Sequence, residues 1–301
     1  MSENCHGETE FNHKADDLSS NFGNDYSNQF VKKRIFPQSS VTNIKNPFQG
    51  YPRLEKLQRL KCENYDRYSQ QPVCLRVSEN DMVTTLNQII SEDVKFDVIM
   101  VGGCYEQFSI LQLESLPIAK MSARPSLLFL WVPSNRIADG RKLMEKWRYR
   151  HGEDITYHVR SEASPHCPDE FAWTRNDTML RPTTWHCLMG LNGTLRRSTD
   201  THLIHCNVDT DVIVERQQTH SVVPDEAYKL IENFTSMNRK IHVVPTSMPE
   251  ELFTAPRKGW LVVSPDAFPT GNFDANYYCV RKQIPVSIEI DNLRPKTPPA
   301  I

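Results

Sequence analysis

The spacing of apolar positions changes several times along the chain, and each change marks an element. From Tyr51 onward, Leu54, Leu57 and Leu60 recur at helical spacing with charged residues between them, which predicts a helix. A short strand is expected at Val73 to Val77. Met82, Leu86, Ile89 and Ile90 then mark a second helix, with Ser78 in its N-cap region. Phe96-Asp97-Val98-Ile99-Met100-Val101 and Leu127-Leu128-Phe129-Leu130-Trp131-Val132 are nearly continuous apolar runs, the texture of strands covered on both faces. Phe108 to Lys120, between them, reads as a helix or an irregular crossover. Ile137, Leu143, Met144 and Trp147 mark another helix, and Tyr157 to Val159 a strand. Residues 161–181 are mostly polar and read as a long surface loop. Trp185 to Gly190 and Val212 to Val214 follow as strands. Pro224-Asp225-Glu226 opens a helix, because proline suits a first turn and acids favour the positive end of the helix dipole. Its buried stripe is expected to be Ala227, Leu230, Ile231 and Phe234. Ile241 to Val244 and Trp260 to Val263 are the last clear strands.

Strands alternating with helices predict an α/β fold, a mostly parallel sheet with helices on both faces. Ligands of such sheets bind beyond the carboxyl ends of the strands, so the residues just after each strand are the informative ones. Residues 1–49 are polar and rich in Asn, Ser and Asp. They bury too little to offset ordering entropy and are expected to form a largely disordered arm. Residues 50–293 form the expected domain and 294–301 a Pro-rich, extended tail. Lys32-Lys33-Arg34 in the arm is either a nuclear-import patch or a solvated turn.

Composition narrows this picture. The length of 301 residues suits one large domain plus tails, and 39% hydrophobic residues suffice for a core. A net charge of −2 excludes a globally basic nucleic-acid binder, so any phosphate contact must come from a local patch. The eight Cys never occur as C-x-x-C and read as reduced thiols, not as a disulfide framework or zinc site. His202 and His205 lack a third ligand at metal spacing, so no metal is expected. No apolar signal segment opens the chain, and the longest apolar run, Leu127 to Pro133, is too short to span a bilayer. The expectation is a nuclear or cytosolic protein without membrane contact.

Two constellations carry candidate chemistry. After the strand at Phe96 to Val101 stand Gly102, Gly103, Cys104 and Tyr105. Two glycines there either let a cofactor approach the backbone or serve a tight turn, and without G-x-G-x-x-G the turn is favoured. Tyr105 is either a stacking platform or a core or rim aromatic. The second constellation is basic: Arg196 and Arg197 follow the Trp185 strand, and Arg148 and Arg150 end the upstream helix. Neighbouring guanidiniums would neutralise phosphates. Equally, they would belong to an ordinary surface with internal salt bridges, such as Arg197 with Asp200 or Asp209.

Several runs together resemble the mRNA adenosine methyltransferase family over about residues 24 to 293. They are Asn24-Asp25-Tyr26-Ser27, Tyr51-Pro52-Arg53-Leu54-Glu55-Lys56-Leu57, Lys95-Phe96-Asp97-Val98-Ile99 and His186-Cys187-Leu188-Met189-Gly190. Gly193-Thr194, Arg197-Ser198-Thr199-Asp200, Asn207-Val208-Asp209-Thr210-Asp211 and Gly259-Trp260-Leu261 continue the match. The chain resembles the family's non-catalytic branch and, within it, is similar to a karyogamy regulator. This resemblance implies a Rossmann-like methyltransferase fold. Active members carry Asp-Pro-Pro-Trp where this chain has Gly102, Gly103, Cys104 and Tyr105. Their Lys before the His-Cys-Leu run is also absent, since Thr183-Thr184-Trp185 stands there.

What the resemblance implies is therefore a degenerate methyltransferase with no cofactor of its own. It would pair with a catalytic methyltransferase paralogue and present mRNA to it. It would also act as a transcriptional co-regulator in mating (karyogamy) and meiosis, with a DNA-bound pheromone-response transcription factor, in the nucleus and secondarily the cytoplasm. By the same resemblance Arg150, Arg196 and Arg197 would line an RNA groove, and Glu153 and Asp211 would face the catalytic partner's arginines. Either acid equally fits a solvated strand end. The competing class is an active S-adenosylmethionine-dependent RNA adenosine methyltransferase with an unusual motif.

Overall fold

The computed structural model describes residues 45–49, 51–105, 109–159, 184–195, 200, 202–203, 209–215, 221–250 and 252–294. Helix α1 (Pro52–Tyr68) comes first. Proline sits in its first turn, where a missing N–H costs nothing. There follow β1 (Val73–Arg76), α2 (Met82–Ser91), β2 (Phe96–Val101), the short helices α3 (Ile110–Ser115) and α4 (Ile118–Met121), and β3 (Ser122–Pro133). Then come α5 (Ile137–Lys146), β4 (Arg150–Val159), β5 (Trp185–Asn192), β6 (Val212–Glu215), α6 (Asp225–Phe234), β7 (Lys240–Val243), β8 (Leu261–Ser264), α7 (Ala275–Val280) and α8 (Ile288–Leu293).

The strands form one eight-stranded sheet in the order β1-β8-β7-β2-β3-β5-β4-β6. Neighbours are parallel except at β5, which runs antiparallel to both β3 and β4. Helix α5 carries the chain from β3 to the parallel β4 but skips one position, and β5 fills that gap in reverse. The sheet is thus mostly parallel with helices on both faces, as the alternation of elements predicts.

Central strands are apolar throughout because alternate residues enter two cores. Ile99, Val101, Leu128 and Leu130 face α2, α3, α5 and α7 through Leu86, Leu113, Leu143 and Tyr278. Val98, Met100, Phe129 and Trp131 face the other way, under α6 and the segment carrying Val222 and Leu252. A third cluster joins Leu54 and Leu57 of α1 to Ile290 and Leu293 of α8. Phe48, expected within the arm, is 2% exposed in that cluster, since the α1–α8 contact leaves an apolar surface beside it. At the start of β2 and β7, Asp97 takes both nitrogens of the Arg239 fork at 2.6 Å, and the backbone N–H groups of Asp97 and Val98 both reach the Arg239 carbonyl. Burial still pushes the Asp97 carboxyl above its ordinary range against this pairing.

Three local expectations change. Ser78 caps the turn before α2, taking the Asp81 N–H at 3.2 Å, and the N-cap itself is Asp81. In α6 the buried stripe is Ala227, Tyr228 and Ile231, with Leu230 and Phe234 half-buried. The helix is rotated so that the Tyr228 ring meets His242 and Trp260. Helices α7 and α8 lie where the sequence predicts no element; both are capped, by Asp274 and Ser287. The expected loop at 161–181, residues 1–44 of the arm and residues 295–301 of the tail lie outside the described residues.

Candidate functional site

The residues that follow β2 are the first candidate. Gly102 has φ +79°, a left-handed conformation that glycine adopts without strain. Its N–H donates to the Val243 carbonyl at 2.9 Å. Its own carbonyl lies 2.7 Å from His242 Nε2. A carbonyl only accepts, so Nε2 carries the proton and Nδ1 takes the Tyr228 hydroxyl at 2.7 Å. Burial pushes this imidazole down to about 4, which keeps it neutral.

Gly103 is jammed against the segment before α6. A methyl group added there would stand 2.4 Å from Val222 Cγ2 and 2.6 Å from the Val222 carbonyl oxygen. That same carbonyl accepts the Cys104 N–H at 2.7 Å. Cys104 is 1% exposed, and burial pushes its thiol well above the ordinary value. Tyr105 is 5% exposed and its hydroxyl pairs with Thr246 Oγ1 at 2.8 Å. Of its two readings the core aromatic holds, and its ring is not offered as a stacking platform.

The rim above is also tied together. Glu79, after β1, accepts the Ser247 N–H at 2.7 Å, and this bond holds its carboxyl below the usual range. Gln112 of α3 donates to the Pro245 carbonyl at 3.0 Å and to Glu79 at 3.3 Å. The loops after β1, β2 and β7 would frame a ligand crevice in an open sheet of this kind. Here they bond to one another.

Arg150, of the basic constellation, lies at the opposite ends of the strands. Asn192, which ends β5, pairs with Ser126 near the start of β3, and Leu191 pairs with Arg150, the first residue of β4. Arg150 therefore opens a strand and does not end the helix, which stops at Lys146. It is exposed, and its Nη2 reaches the Gly193 carbonyl at 3.4 Å. Arg196 and Arg197 lie outside the described residues, but the chain that leads into them leaves the sheet at this edge.

Glu153 is exposed on β4 beside a register irregularity. Asp211 is exposed just before β6, its backbone carbonyl holding the Thr156 N–H at 2.8 Å. Both acids thus lie along the outer β4–β6 margin, away from the turn after β2. The His202 carbonyl takes the Ser236 N–H and the Thr235 hydroxyl, a structural role. His205 lies outside the described residues, among which no His, Cys, Asp and Glu cluster suits a metal.

Sequence reasoning missed two polar relays. One is Tyr228–His242–Gly102; its only signal is a lone histidine inside the buried strand Lys240–Val243. The other runs from Asp154 to His186 Nδ1 at 3.1 Å and from Nε2 to the Thr184 hydroxyl at 3.1 Å.

Sheet order, crevice position and the two-sided core define a Rossmann-like domain of the methyltransferase type. The chain belongs to the MT-A70 family, whose model matches residues 99–255. It is similar to Karyogamy protein KAR4 of Saccharomyces cerevisiae, at 36% identity over 91% of this chain and 85% of that protein. It is also similar to the N(6)-adenosine-methyltransferase non-catalytic subunit METTL14 of Drosophila melanogaster, at 29% identity over 93% of this chain and 74% of that one. The METTL14 of Danio rerio is 30% identical over 92% of this chain and 63% of its own length.

Proposed function

We propose that this chain is a non-catalytic subunit of an mRNA adenosine methyltransferase complex. It is a pseudo-methyltransferase that supports methylation by a catalytic paralogue. The observation that carries this reading is the filled turn after β2. Methyl transfer to an exocyclic amine needs the amine held in line and a group to receive its proton. Gly102 and Gly103 supply no side chain at the place where active members of the family carry Asp-Pro-Pro-Trp. Cys104 and Tyr105 are buried in the core, and hydrogen bonds join the described parts of the surrounding loops to one another. The relatives whose names contain "non-catalytic subunit" support the same reading.

In this proposal RNA runs along the basic edge, on Arg150, Arg196 and Arg197, and the catalytic paralogue docks through Glu153 and Asp211. The similarity to a karyogamy protein supports a role in karyogamy. On the family resemblance alone, we extend this to a nuclear transcriptional co-regulator in mating and meiosis, with a DNA-bound pheromone-response factor and a cytoplasmic pool besides.

Titration calorimetry of the full chain with S-adenosylmethionine tests the reading. The expected result is no binding heat at micromolar concentrations. Micromolar or tighter binding would favour an active methyltransferase instead. The RNA assignment has its own test: Arg196→Glu with Arg197→Glu is expected to abolish RNA binding at moderate salt, and an unchanged affinity and salt slope would remove the groove from this edge.

A further inference from the structure

Strand β5 leaves the sheet between the starts of its two neighbours, with Asn192 opposite Ser126 and Leu191 opposite Arg150. The next residue, Gly193, has φ +84°. Arg124, two residues before Ser126, lays its side chain along this turn. A methyl group added to Gly193 would stand 3.2 Å from Arg124 Cγ and 3.6 Å from its Nε. From the other side, Arg150 Nη2 reaches the Gly193 carbonyl in a long 3.4 Å contact. Both arginines are exposed, and among the described residues no ion pair ties either to a carboxylate.

We propose that Arg124 and Arg150 form a two-sided clamp, across the Gly193 turn, for a backbone phosphate of single-stranded RNA. Arg124 is the member that no sequence motif singles out. Two like charges flanking one glycine repel each other until an anion lies between them. Each guanidinium presents a planar fork of N–H donors suited to a phosphate. The missing side chain at Gly193 lets the Arg124 stem lie against the turn whose carbonyl Arg150 reaches. In the sequence Arg196 and Arg197 follow Gly193 by three and four residues, and such a run of basic residues suits a strand with a charge at every nucleotide better than a single acidic side chain. The clamp rests on the RNA-presenting role proposed above.

Fluorescence anisotropy with a labelled single-stranded oligoribonucleotide, across a salt series, tests it on the full chain. Losing one phosphate contact from a single strand lowers the slope of log K against log salt by about 0.7, which is about fivefold in affinity near 0.1 M salt. Arg124→Ala is expected to show that loss, with the same factor on an oligodeoxynucleotide of identical sequence. Arg124→Lys is expected to restore most of the slope. An unchanged slope in Arg124→Ala, with Arg196→Glu plus Arg197→Glu still weakening RNA, would overturn the clamp and leave the RNA-presenting role standing. Failure of the wild-type chain to bind RNA at all would overturn both. A loss on RNA but not on DNA would assign Arg124 to a sugar hydroxyl. Retained RNA affinity with lost capture of the catalytic paralogue would assign it to a protein contact. Either result would overturn the phosphate assignment.

Discussion

The Val222 carbonyl that crowds position 103 cannot retreat, because it also holds the Cys104 N–H. Gly103→Ala is therefore expected to lower stability by about 1–3 kcal/mol, the usual cost of overpacking. Urea denaturation reads this directly, and an unchanged midpoint would contradict the packing described. His242 makes a second residue-scale prediction. An unfolded imidazole takes up a proton near pH 6.5, whereas burial delays this in the fold to about 4. The unfolded state binds more protons between those values, so stability falls as pH drops through the window, by about 3 kcal/mol in total from this group. Thermal midpoints of wild type and His242→Gln across that range should diverge, the variant showing the shallower slope; parallel curves would deny the relay. Little of this was legible beforehand. The glycine pair announces a turn, but the approach of Val222 comes from a segment more than a hundred residues away, and no spacing rule reports it. The lone histidine in an apolar strand does signal a buried polar group needing partners, though not that Tyr228 is one of them.

Among the elements, β2 and β7 are held in register by more than their ladder. The Asp97 carboxylate, on the second residue of β2, and the fork of Arg239, just before β7, meet with side chains 4% and 14% exposed. Removing one partner strands a buried charge, so Asp97→Ala should cost about 3–5 kcal/mol. Asp97→Val combined with Arg239→Met should recover most of it, because burial works against this pair. Denaturation of the wild type and these two variants checks this, and a double variant no more stable than Asp97→Ala would contradict it. The long apolar runs of β2 and β3 were fully legible, since two-sided burial writes an unbroken signal. The direction of β5 was not, because a strand buried on both faces reads alike either way round. Helices α7 and α8 escaped because six residues hold too little periodicity to register.

At the scale of the whole molecule, the two ends of the sheet have parted in character. At the carboxyl end, where such folds keep their chemistry, hydrogen bonds of Tyr105 with Thr246 and of Gln112 with Glu79 and the Pro245 carbonyl join the described loops. The opposite end carries exposed arginines around Gly193. A net charge of −2 conceals that edge, because an average over 301 residues erases a local cluster. Composition alone left the arginines as ordinary surface, and it was the family resemblance that raised a groove there. The docking proposed through the outer β4–β6 margin gives a further prediction: Glu153→Lys with Asp211→Lys should abolish co-purification of the catalytic paralogue, by turning the attraction for its arginines that the family resemblance implies into like-charge repulsion. Full retention would move the interface elsewhere.

Mass-spectrometric detection of N6-methyladenosine, after incubating the purified full chain with S-adenosylmethionine and RNA but no paralogue, bears most directly on the proposed non-catalytic role. The structure described here predicts no product above a protein-free control. Product that grows with the amount of chain added would contradict it.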